Sequence, residues 1–110
     1  MTNLESLARK YFETFNSQNI DELSRMFSED IILRDWNVEE KGKLKVLQIN
    51  KNIFSEVPSI NVNVLKLYQN ENSIAADLLI KLDKNDHIYV VDIIDFNSKN
   101  LITSIRAYKG

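Results

Sequence analysis

A chain of 110 residues, 44% hydrophobic and 27% charged, is composed like one ordinary globular domain, with enough material for a single core. A net charge of -2, with lysines scattered along the chain, gives no reason to expect nucleic acid or an anionic membrane as partner. No cysteine and a single histidine, His87, exclude disulfides, thiolate catalysis, Cys-based metal sites and multi-histidine metal sites.

The N-terminus has no basic region followed by an apolar run, so no signal peptide is expected. No apolar stretch reaches the roughly 20 residues that span a bilayer. These absences predict one cytoplasmic domain over residues 1–110.

Leu4, Leu7, Ala8, Tyr11, Phe12 and Phe15 recur at helical spacing and predict an amphipathic helix over residues 3–16. Tyr11 lies one turn before Phe15 on the apolar stripe. Its hydroxyl is therefore carried to the edge of the core or into a cavity. Asn16-Ser17-Gln18-Asn19 interrupts the pattern, and Asn19 with Glu22 suits the cap of a second, short helix. Ile20, Leu23, Met26 and Phe27 form its predicted buried side, and Ser28-Glu29-Asp30 its end.

Residues 31–36 read as a strand with Ile31, Leu33 and Asp35 on one face. Asp35, near the strand's end, suits a turn-forming acid as well as a reactive one. Trp36, the only tryptophan, suits either plain packing or a pocket wall that reduces the hydration of its neighbour. Residues 37–42 are polar and predict a hairpin-like excursion. Val46, Leu47, Ile49, Asn50, Ile53 and Phe54 then predict a third helix that stops before Pro58.

Three alternating stretches, 60–68, 74–82 and 101–108, flank the strongest strand signal, His87 to Phe96. Short polar connectors between them predict antiparallel neighbours. In His87–Phe96, the residues Ile88, Val90, Asp92, Ile94 and Phe96 share one face. Asp92 is the sole polar side chain in that row. A carboxyl group there must be paired, hydrogen-bonded or kept neutral. The opposite face carries Tyr89, Val91 and Ile93, also apolar. With all helices on one side, the other side predicts a homodimer through the outer sheet face.

Helices followed by a meander give an α+β fold, with N-terminal helices packed on a curved antiparallel sheet. In that order of elements, the chain resembles the cone-shaped, cystatin-like superfamily of nuclear transport factor 2 and the SnoaL-like proteins over essentially its whole length. Within it the likeness is closest to the Δ5-3-ketosteroid isomerases. Arg9-Lys10-Tyr11-Phe12-Glu13 has a tyrosine where that family places an oxyanion-hole donor. Asn19-Ile20-Asp21-Glu22 through Phe27-Ser28-Glu29-Asp30 leads to Asp35 at the spacing of the family's base. Val91-Asp92-Ile93-Ile94-Asp95-Phe96 with Ser104-Ile105-Arg106-Ala107-Tyr108 is similar to the last hairpin, with Asp92 at the second donor.

The resemblance implies a cofactor-free and metal-free isomerase that enolises an apolar carbonyl compound, with Asp35 as base and Tyr11 and Asp92 as oxyanion donors. Face parity then makes Phe15, Ile88, Val90, Ile105 and Ala107 the candidate cavity lining, with Trp36 beside them. The chain departs from the family pattern at Phe27, Asn50, Trp36 and Lys109, the last standing where an apolar or aromatic wall residue can stand. The competing readings are a non-catalytic small-molecule-binding or dimerisation module on the same cone, and a related hydrolase, dehydratase or cyclase. His87 reads as a strand-end surface residue, and Arg34 and Arg106 as partners of surface acids.

Overall fold

Leu4, Ala8, Tyr11, Phe12 and Phe15 do share one buried stripe, on helix α1 (Leu4–Asn16). The computed structural model describes residues 3–110. α1 starts at Asn3, whose side chain accepts a hydrogen bond from the Ser6 amide at 3.3 Å. Asn19 caps α2 (Ile20–Met26) in the same way, accepting from the Glu22 amide at 3.1 Å.

α2 ends sooner than its periodicity suggests. Phe27 already has extended backbone and opens β1 (Phe27–Arg34), where it is fully buried opposite Ile102. Burial of Phe27 against a distant strand overrides its helical spacing. Asp35 and Trp36, expected in the strand, instead follow it in a turn. The polar excursion contains a short strand, β2 (Glu39–Lys41), antiparallel to β1. Gly42 then adopts φ 104°, a conformation that side-chain-bearing residues resist, and opens α3 (Lys43–Glu56).

β3 (Asn61–Gln69), β4 (Ser73–Lys81), β5 (His87–Phe96) and β6 (Ile102–Lys109) form the expected antiparallel meander. The sheet as a whole is mixed, not antiparallel, with strand order β2-β1-β6-β5-β4-β3 and β1 running parallel to β6. No hairpin links these two strands. The whole of α3 and the meander intervene, so the orientation of β6 beside β1 is free of turn geometry.

Bulges bend this sheet. Leu65 is the extra residue between the Val64–Leu78 and Lys66–Asp77 pairs, and the β1–β6 and β5–β6 registers also slip once each. The helices cover the concave face, α1 over β3 and β4 and α3 over β1. Leu23, Phe27, Ile31, Ile74, Leu78 and Ile94 fill the space between. Asn16 ties α1 to the edge strand, accepting from the Val62 amide at 2.7 Å and donating to the Val62 carbonyl at 2.9 Å. Each such bond contributes about 1 kcal/mol, and together they occupy backbone groups that an open edge would expose. Among the described residues, no helix is long and apolar enough to cross a membrane.

Candidate functional site

Strand parity puts Asp92 on the concave face of β5, and its neighbours across the sheet are both alanines, Ala76 on β4 and Ala107 on β6. Two methyl groups beside a carboxyl leave it standing above its surroundings. α1 lies over this part of the sheet and brings Tyr11 to it. The Tyr11 ring is held by Phe12, Phe15 and Phe27 at centroid distances of 5.0, 6.4 and 6.2 Å.

Tyr11 and Asp92 are 5% and 9% exposed. Among the described residues, neither the Tyr11 hydroxyl nor the Asp92 carboxyl has a hydrogen-bond partner within the fold, yet neither is sealed off, since the side-chain atom buried without a partner is Arg106 Nε. Both oxygens therefore keep some access to solvent and are free to bond a ligand. Burial, and then the charge of Asp35, pushes the Asp92 carboxyl up to about 7. Burial, and then Asp92, pushes the Tyr11 hydroxyl far above its ordinary value. Both groups are therefore present as hydrogen-bond donors at mildly acid pH.

Asp35 is half-buried in the β1–β2 turn. Its Oδ1 accepts from the amides of Asn37 (2.7 Å) and Val38 (2.8 Å), and its own amide donates to the Val38 carbonyl at 2.8 Å. The turn-forming role open to Asp35 in the sequence is thus real. It engages one carboxylate oxygen and leaves Oδ2 without a protein partner among the described residues. Tyr11, Asp92 and Asp35 are linked in a chain of electrostatic influence, and they come from α1, β5 and the β1–β2 turn.

The expected lining residues divide. Val90 and Ile105 are buried in the concave floor, whereas Ile88 and Ala107 are half-buried. Phe15 packs edge-on against Phe54 at 4.9 Å and belongs to the core under α3. Trp36 is 43% exposed, with the Lys109 ammonium 5.8 Å from its ring centre. Ala76 escaped the sequence reading, although the five-residue connector after β4 would have set its register against Asp92. His87 is an exposed strand-end residue against Tyr89. Arg106 pairs with Asp95 at 3.4 Å, and Arg34 donates to the Tyr108 hydroxyl at 2.7 Å rather than to an acid.

Surface clefts occur elsewhere. One of about 210 Å³ lies between Leu7, Met26 and Leu101, and one of about 690 Å³ at the β4–β5 turn around Asp86 and His87. Among the described residues no three His, Asp or Glu side chains converge in a metal-ligating arrangement.

The family model for the SnoaL-like domain matches residues 8–105. Among solved structures, a provisionally assigned ketosteroid isomerase from Kribbella flavida superimposes with a TM-score of 0.83 at 21% identity, over 96% of this chain and 76% of that one. A SnoaL-like protein of unknown function from Burkholderia thailandensis gives 0.86 at 10% identity, over 96% and 92%. The epoxide hydrolase/cyclase-like enzyme SalBIII, of pyran ring formation in salinomycin, gives 0.77 at 19%, over 96% and 89%. At these identities the likeness is one of fold. No curated protein matches the chain in sequence.

Proposed function

Because the chain belongs to the SnoaL-like domain family of NTF2-like proteins, we propose that it is a cofactor-free isomerase that enolises an apolar carbonyl compound and shifts its double bond. The observation that carries this reading is the pair of buried, unpartnered donors, Tyr11 and Asp92, beside a carboxylate with one free oxygen. Asp35 Oδ2 removes a proton from the carbon between carbonyl and alkene. The electron pair moves onto the carbonyl oxygen, which accepts hydrogen bonds from the Tyr11 hydroxyl and the neutral Asp92 carboxyl. Asp35 then returns the proton to the far alkene carbon, and the conjugated ketone leaves.

The test is binding of 2-naphthol, whose hydroxyl mimics the enolate oxygen. Calorimetry should give saturable binding to the wild type, weakened about tenfold in Tyr11→Phe and again in Asp92→Leu, since each change removes one donor. Binding that ignores both substitutions would refute the oxyanion hole. Tight binding without turnover of any enolisable ketone would leave a binding module.

A homodimer through the outer sheet face completes the proposal. Ile32, Tyr68, Tyr89, Val91 and Tyr108, on the outer face of the sheet, are exposed, with Val91 directly opposite Tyr108. Sedimentation velocity should find a dimer, and Val91→Lys, whose new charge can rest on the cross-strand Asp77, should yield a folded monomer. A monomeric wild type would discard this part.

A further inference from the structure

The concave row of β6 runs Ile105, Ala107, Lys109, and its third member is a cation. Lys109 pairs with Val90, and the next amide, that of Gly110, donates to the Tyr89 carbonyl at 2.8 Å, so the strand is held in register to this point. Lys109 therefore sits on the face that carries Asp92, two positions along from Ala107, which is roughly 7 Å of strand. Its ammonium is drawn over the exposed indole of Trp36, the residue after Asp35. Like most of the chain's 14 lysines and arginines, Lys109 has no carboxylate within ion-pair distance among the described residues; what sets it apart is its place on the Asp92 face, beside the turn that carries Asp35. A free ammonium, steered by an aromatic ring to the rim of a site and left without a counter-charge, is arranged to receive an anion.

We infer that the natural ligand is anionic, an apolar carbonyl compound whose carboxylate docks on Lys109 while its ketone oxygen meets Tyr11 and Asp92. The inference rests on the proposed oxyanion hole and deepens it. Lys109 becomes a specificity residue at the rim, and Trp36 the platform that holds its ammonium and covers the ligand's apolar body. An uncharged ligand of the same shape forgoes this contact.

Calorimetric titration with two phenols that share a ring frame separates the two claims. 6-Hydroxy-2-naphthoate carries its carboxylate at the end opposite the hydroxyl, and 2-naphthol lacks it. At low salt the wild type should prefer the hydroxynaphthoate by roughly fivefold, the scale of a partly exposed ion pair. The preference should shrink with added salt, persist in Lys109→Arg and vanish in Lys109→Met. Equal affinity for the two phenols in the wild type, or a preference that survives Lys109→Met, overturns the anion clamp and leaves the oxyanion hole standing. If neither phenol binds, both fall.

Discussion

Replacing Asp35 by Asn should lower kcat for the conversion of cyclohex-3-enone to its conjugated isomer by about 10³-fold, within the range that general-base catalysis supplies. Asparagine is the informative substitution because of what Oδ1 does. It accepts from the amides of Asn37 and Val38, and the asparagine oxygen can accept the same two bonds. The turn survives while the basic oxygen becomes an amide nitrogen. Thermal unfolding of the variant should match the wild type, which separates lost chemistry from lost structure. Turnover that continues unchanged would remove Asp35 from the mechanism. The variant should have a second signature. Part of the upward push on Asp92 comes from the charge of Asp35, so losing that charge should let Asp92 ionise at lower pH.

The second large effect is on stability, and it runs against function. In the unfolded chain Asp92 releases its proton at the ordinary value of 3.8, and in the fold at about 7. The folded state holds the proton more tightly, so folding takes one up anywhere between those limits. The contribution of Asp92 to stability is therefore fully present below about pH 4, is lost as the pH rises toward 7, and levels off above. At about 1.4 kcal/mol per pH unit the whole decline is on the order of 4 kcal/mol. Asp92→Asn does not titrate. Urea denaturation across this range should find it more stable than the wild type above pH 7 by 2 kcal/mol or more, an order-of-magnitude expectation. Superimposable pH profiles for the two proteins would show that Asp92 is not desolvated in solution. On the proposed reading, this stability is what the domain gives up to hold a proton on Asp92 near neutral pH.

Much of this arrangement was legible before any coordinates. Period-two alternation alone isolates Asp92 in an apolar row, and the structure buries it there. Helical spacing likewise carries Tyr11 inward. Local rules also found the caps at Asn19 and the turn chemistry of Asp35, because each depends on residues within four positions. The misjudged features depend on distant partners. Phe27 leaves its helix because Ile102 awaits it. The parallel pairing of β1 with β6 has no local signal, since no turn joins them. The edge-on contact of Phe15 with Phe54 on α3 has no local signal either. The proximity of Asp35 to Asp92 has the same origin, for it exists only once the sheet has closed on β6.

That closure gives the protein a late assembly step. Leu33 finds Ile105 across about 70 residues of chain, among the costliest loops a domain of this size can close. During synthesis α1, α2 and the β1–β2 hairpin leave the ribosome long before the strand that anchors them. Until β6 inserts, β1 and β5 each show a bare edge, and the carboxylate of the hairpin has no fixed position relative to the acid on β5. A nascent chain stopped after β5 carries Tyr11, Asp35 and Asp92 but not the strand that fixes β1 beside β5.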